Sequence, residues 1–237
     1  MSAPPATDAE TLAGLLARLC PRRRIDVAGA VGLPRVLPHA DAFRGWLAAG
    51  RHGELSYLAR DPAGRLDPLR QRPWARCVLV FGQRYAAGWR ADDPTPWAGA
   101  AAGRPWIDGV ARYARGRDYH DVLRADVKAV LEGLRQALGP LRAHVAIDTG
   151  PYLEREYAWL GGLGFFGRNS CLIHERLGSG LFLGLAVTDL AVAGLPLSGE
   201  AAAAPLWSVA PRPAGAEDGA SRCGGCRLCV EACPTGA

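Results

Sequence analysis

The sequence predicts an α+β domain with a mixed sheet, followed by a small cysteine-rich segment, and three observations carry that prediction. Short apolar runs at 76–81, 144–147 and 181–189 have the length and the boundaries of buried strands. Between them lie segments whose apolar residues recur at helical spacing, the clearest beginning at Asp118. Four of the seven cysteines fall within the last fifteen residues, a clustering that sets the end of the chain apart. Strand order does not follow from such a pattern.

The chain of 237 residues is long enough for one large domain with a small appendage, and its 49% hydrophobic and 22% charged residues are those of a globular chain. Collagen, coiled coil and wholesale disorder are excluded on composition. No run approaches the roughly 18 apolar residues of a membrane span, and Asp8 and Glu10 stand where a secretory signal carries positive charge. A cytoplasmic protein with no membrane partner is expected. The net charge of +5 permits an anionic partner such as nucleic acid. Lys128 is the only lysine, however, and heavy use of Arg, Ala, Gly and Pro reads as coding bias as much as a phosphate-binding surface.

Thr7 and Glu10 have capping-box spacing, and Leu12, Leu15, Leu16 and Leu19 then line one face of a first helix that Pro21 ends. Ile25 to Val31 alternates loosely and is expected as a strand, as is the run from Arg76 to Phe81, with helix or loop between them. Residues 86–110 are rich in Gly, Pro and Trp without a period and predict a long surface excursion of the kind that frames a site. From about Asp118 a second helix presents Leu123, Val127, Val130, Leu131, Leu134 and Leu138 until Gly139 and Pro140 stop it. His144 to Ile147 is a strand that runs into Asp148 and the turn Thr149-Gly150-Pro151. A short helix from Leu153 to Leu160 follows, then a glycine-rich stretch to Ser170 where close backbone approach is expected. Cys171 to His174 and Leu181 to Asp189 are strand-like and, separated by turn residues, predict a hairpin. Residues 191–222 lack any period and are expected to link residues 1–190 to a final segment at 223–237. No internal repeat of 20 to 50 residues is present.

That final segment reads Cys223-x2-Cys226-x2-Cys229-x3-Cys233-Pro234. The spacing is that of the bacterial ferredoxin run, in which three thiolates on a tight loop hold one 4Fe-4S cluster and the fourth reaches a second. Gly224 and Gly225 let the loop wrap an inorganic core. A zinc site fits less well, because zinc draws its cysteines in pairs from separate knuckles, and disulfides do not suit a chain without an export signal. Two clusters need eight thiolates, so four ligands are missing, and the chain reads as truncated relative to a complete two-cluster domain. Cys20, Cys77 and Cys171 are expected as buried, unligated thiols. His39, His52, His120, His144 and His174 are too scattered for a metal site; His120 is the best of them for a cofactor contact.

Six segments, HGELSYL from His52, RYARGRDYH from Arg112, DTGPYLER from Asp148, GLGFFGRNS from Gly162, GSGLFLG from Gly178 and CGGCRLCVEACPTGA from Cys223, together resemble the epoxyqueuosine reductases. These are the cobalamin-dependent iron–sulfur enzymes of tRNA queuosine synthesis. The resemblance implies a cobalamin-binding domain ahead of a partial ferredoxin-like 4Fe-4S domain. It further implies electrons passing through clusters to cobalt, an unidentified electron donor, and a tRNA substrate carrying epoxyqueuosine; a monomer is expected. Arg168 stands where the family commonly has Lys, and Phe165-Phe166 is bulkier than its usual pair.

The family's DxxPxxER segment implies a proton donor at Asp148. To give up a proton near neutral pH that carboxyl must be held un-ionised, with desolvation supplied by an apolar corrin face. An acid at this position could instead cap the following helix. The resemblance also implies Leu55, Tyr113, Asn169 and Ser170 as corrin-lining residues, Arg155 as a substrate-binding residue, and Cys223, Cys226, Cys229 and Cys233 as cluster ligands. Leu55 and Tyr113 could equally be core, and Arg155 a surface ion pair. Two other functions remain open: an electron-transfer or cofactor-binding module without tRNA activity, and a cobalamin-dependent reductase of a small molecule.

Overall fold

A computed structural model describes residues 4–85, 110–114, 116–195, 205–208 and 222–234. The excursion expected at 86–110 lies, save its last residue, outside the described residues. Strand β1 (Ala6–Asp8) leads into helix α1 (Ala9–Leu19), and β2 (Val27–Gly32) follows. Helices α2 (Ala40–Ala48) and α3 (Pro62–Leu66) fill the interval before β3 (Cys77–Arg84). The long α4 (Tyr119–Leu138) precedes β4 (Ala143–Ala146) and α5 (Glu154–Leu160). Then come β5 (Phe165–Phe166), β6 (Leu172–Ile173), β7 (Leu181–Thr188), β8 (Ala191–Ala193), β9 (Trp207–Ser208) and α6 (Leu228–Glu231).

The main sheet has five strands in the order β4-β7-β3-β2-β9, and every neighbouring pair in it is antiparallel. The α+β class therefore holds, but not the mixed sheet. The one parallel pairing among the described residues, β1 with β8, forms a separate two-stranded sheet. Direction of pairing is a property of the connections between runs, and apolar runs alone do not encode it.

Side chains alternate across β3, so that Cys77, Leu79 and Phe81 pack on one face with α1 and α4 while Val78 and Val80 pack on the other with α5. Both faces are covered, which is why these strands read as continuous apolar runs. The α4 stripe of Leu123, Val127, Val130, Leu131 and Leu134 is fully buried, as its spacing predicts.

Three local expectations change. The first helix is capped by Asp8, whose carboxylate accepts from the Thr11 amide at 2.8 Å, whereas Thr7 lies in β1. The predicted hairpin between 171–174 and 181–189 does not form. His174 and Gly178 close a local bridge, β6 pairs back onto β5, and β7 is taken between β3 and β4. Buried on two faces, β7 gains more from the centre of the sheet than from a two-strand hairpin. The stretch from 191, expected as a linker, supplies β8 to the small sheet and β9 to the edge of the large one.

Close approach occurs where the glycines predict it. A Cβ on Gly29 would lie 2.2 Å from the Gly161 carbonyl oxygen, and one on Gly164 would lie 2.3 Å from that of Ile173. The end of α5 therefore sits directly on β2, which fixes the glycine-rich segment against the sheet.

Candidate active site and cysteine segment

Ile147, wholly buried at the end of β4, anchors the chain just before Asp148. Asp148 then turns out of the sheet in a left-handed conformation, φ 54°, with its side chain 65% exposed. The start of α4 meets it there. Asp118 caps that helix by accepting from the His120 amide at 2.9 Å, which sets the next two rings over Asp148. The Tyr119 hydroxyl donates to Asp148 Oδ2 at 2.8 Å, and His120 Nε2 lies 3.6 Å from the same oxygen. The other ring nitrogen of His120 is 2.7 Å from Asp118 Oδ1, so this imidazole stands between two carboxylates. Burial, then the bond to Asp148, pushes the Tyr119 hydroxyl well above the usual tyrosine range and keeps it a proton donor.

Glu154, the first residue of α5, accepts from the Asp148 amide at 2.6 Å through Oε1. Burial raises its carboxyl to about 8, a shift that the bond from Asp148 opposes and the Asp148 charge reinforces. The helix itself starts at Leu153 without a side-chain cap, so Asp148 does not cap α5. Its carboxylate is instead directed to Tyr119 and His120.

Beside Asp148 the rings form a continuous wall. Tyr119 stacks on Phe182 at 4.3 Å, Phe182 lies 4.6 Å from Tyr85, and Tyr113 meets both Tyr85 and Tyr119 edge-on. Tyr113 remains 48% exposed, so it is not a core residue. Leu55 is also exposed, at 51%, and its backbone bonds stay within its own turn, to His52 and Leu58. The structure thus brings Tyr113 to Tyr119, whose hydroxyl bonds Asp148.

Arg155 donates to the Ser170 carbonyl oxygen rather than to an acidic partner, and the Asn169 side chain accepts from the Cys171 amide at 3.1 Å. Ser170 itself has a left-handed φ of 62°. These three residues therefore shape the end of the glycine-rich segment, one helix residue away from Glu154. From the same segment Arg168 donates to the Cys226 carbonyl at 2.7 Å and to the Gly224 carbonyl at 2.9 Å. Arg222, at the head of the cysteine loop, pairs with Glu175 and lies over the Phe165 ring at 5.5 Å. Two arginines thus dock the cysteine loop on the domain.

Cys223, Cys226, Cys229 and Cys233 form no disulfide and lie on the loop that carries the single turn of α6, with Cys226 and Cys229 exposed. Among the described residues no three His, Cys, Asp or Glu side chains are gathered as a ready ligand set. The donors nonetheless suit a thiolate-ligated cluster in type, spacing and exposure. Cys20 and Cys77 are buried and their thiols pushed up to about 12, as expected of inert packing residues. Cys171 is exposed, contrary to expectation, because the short β6 starts only after it.

Sequence reasoning missed Glu154 and Tyr119. Both lie inside the quoted segments, but what distinguishes them, one burial and one hydroxyl bond, is tertiary. His120, singled out among the histidines, does reach the site.

An α+β domain with an acid at a strand exit and a ferredoxin-type cysteine segment docked beside it defines the class. The family model described as "Epoxyqueuosine reductase QueG, DUF1730" matches residues 65–149, and that of the 4Fe-4S binding domain matches 219–237. The epoxyqueuosine reductase of Xanthomonas campestris is 33% identical over 99% of the chain, and that of Burkholderia pseudomallei 34% identical over all of it. The chain spans 58% of the length of each. A crystal structure of epoxyqueuosine reductase with an epoxyqueuosine-modified tRNA-Tyr stem loop superposes with a TM-score of 0.66 at 23% identity, covering 97% of this chain and 53% of that one. By sequence the chain belongs with the epoxyqueuosine reductase family. Among the described residues no helix is long and apolar enough to cross a membrane.

Proposed function

We propose that the chain carries the acid, the corrin-facing wall and one cysteine run of an epoxyqueuosine reductase, an oxidoreductase acting on the modified wobble base of tRNA in the cytoplasm. Residues 1–190, with β8 and β9 of the connection at 191–222 joined to their sheets, are the cobalamin-binding part, and 223–237 the cluster segment. The observation that carries the reading is the presentation of Asp148: exposed, left-handed, and hydrogen-bonded by Tyr119 beside a wall of aromatic rings.

The reaction converts an epoxide to an alkene and water, and consumes two electrons and two protons. Cobalamin, when bound, supplies the reducing centre at the carbon, with electrons delivered through 4Fe-4S clusters. The residues present fit a flat, largely apolar group on one side, because Tyr113, half exposed among the described residues, lies against Tyr119, whose hydroxyl bonds Asp148. Leu55, Asn169 and Ser170 extend that lining, and Arg155 orients substrate from the first turn of α5. Asp148 gives its proton to the epoxide oxygen as the bond to carbon opens. Closure by cofactor and substrate over this exposed carboxyl supplies the desolvation that the step needs. Tyr119 and His120 fix which carboxylate oxygen faces the substrate. Cys223, Cys226, Cys229 and Cys233 supply thiolates to clusters, and Arg168 keeps their loop on the domain.

The test is to reconstitute the protein with iron, sulfide and cobalamin and offer it a reduced-donor mixture with an epoxyqueuosine-bearing stem loop, and separately an organohalide. Formation of the alkene nucleoside with no dehalogenation supports the reading. Dehalogenation without conversion of the nucleoside would replace it with the small-molecule reductase, and cluster and corrin spectra without either reaction would favour a cofactor-binding module.

A further inference from the structure

Asp148 has an exposed carboxyl and a held backbone. Its left-handed φ of 54° follows directly on Ile147, which is locked in the core, so the conformation is imposed where the chain leaves β4 and is one that a non-glycine residue disfavours. Something must hold it. The Asp148 amide is bonded at 2.6 Å by Glu154 Oε1. Glu154 opens α5, whose Tyr157 and Ala158 are wholly buried and whose end abuts β2 through the Gly29–Gly161 contact. The bond thus connects the exposed acid to one of the most firmly packed points of the fold. The groups that act on the Glu154 carboxyl are the amide and charge of Asp148, and its own charge is felt by Tyr119 at the start of α4.

We propose that Glu154 is the positioning residue for Asp148: by accepting the Asp148 amide it holds the turn at 147–150 so that the carboxyl meets Tyr119 and His120. This rests on reading Asp148 as the acid. What matters in this role is reach. A glutamine keeps an acceptor oxygen at the same distance, whereas an aspartate keeps the carboxyl on a stem one methylene shorter and loses the bond.

Compare Glu154→Gln and Glu154→Asp in the intact chain by hydrogen exchange of the Asp148 amide, read without cofactor or substrate, and by single-turnover kinetics on the modified stem loop. Glu154→Gln is expected to exchange within about twofold of the parent, while Glu154→Asp exchanges roughly tenfold faster or more. In the loaded protein Glu154→Asp lowers the rate constant by a similar factor, leaves half-saturation by the stem loop within about twofold, and Glu154→Gln restores the rate. Equal exchange in the two variants, or parent-like exchange in Glu154→Asp, overturns the proposal. Should Glu154→Asp not fold, Glu154→Gln decides alone, because a tenfold rise in its exchange overturns the role. The exchange readout stands apart from the chemistry. A parent protein that fails to convert the stem loop refutes the functional reading, while the exchange pattern still judges Glu154.

Discussion

Replacing Arg168 by lysine separates the charge of its side chain from the forked shape of the guanidinium. Arg168 spans two carbonyls of the cysteine loop, at 2.7 Å to Cys226 and 2.9 Å to Gly224. A charged hydrogen bond contributes about 1.5–3 kcal/mol when sheltered, and exposure here reduces that to about 1 kcal/mol for each. Alanine removes both, a loss of about 2 kcal/mol or roughly 30-fold in favour of the open loop, and lysine retains one, a loss of roughly fivefold. The assay is the rate at which a chelator strips iron from the reconstituted protein under anaerobic conditions. The expected order is Arg slowest, Lys intermediate and Ala fastest. Parent-like stripping in Arg168→Ala would show that these contacts do not hold the loop, and identical rates for Arg and Lys would show that the fork is immaterial.

Gly29→Ala drives a methyl into the Gly161 carbonyl at 2.2 Å and should lower stability by roughly 1–3 kcal/mol, seen as a fall in Tm of several degrees; an unchanged Tm refutes the close approach. Cys226→Ser should abolish the charge-transfer absorbance of the reconstituted cluster without lowering Tm, whereas Cys171→Ser, equally exposed, should leave the absorbance intact; the opposite pattern would displace the ligand assignment. Because the Glu154 carboxyl is raised from its ordinary range to about 8 in the folded chain, its protonated form binds its proton more tightly there than when unfolded. Its contribution is full below about pH 4.5 and is lost as pH rises toward and through 8, with a slope of at most roughly 1.4 kcal/mol per pH unit. Denaturant titrations across that window should show the decline in the parent and a flatter profile in Glu154→Gln; parallel profiles contradict the assignment.

Much of the fold was legible because burial on two faces writes itself as an uninterrupted apolar run, as in Val78 to Phe81, and burial on one helical face as a stripe, as in Leu123 to Leu134. Strand direction and partner were not, since β7 could pair with β6 or enter the sheet, and only the whole set of contacts decides. At the site, Asp148 was visible as an acid leaving a strand, and the cysteines were visible by spacing. Glu154 was invisible in its role, because a glutamate at the start of a helix is ordinary until the desolvation of its carboxyl and the amide it accepts are known. Asp8 displaced Thr7 as the first cap for a similarly tertiary reason: β1 pairs with β8 and draws Thr7 into a strand.

The account is tested most directly by a single-turnover comparison of the parent with Asp148→Asn, each loaded with cobalamin and iron–sulfur cluster to equal occupancy by absorbance, on an epoxyqueuosine-bearing stem loop. Asparagine preserves the shape and the contact with Tyr119 but has no proton to give, so conversion should fall by roughly a hundredfold or more. Conversion within a few fold of the parent would mean that the proton comes from elsewhere.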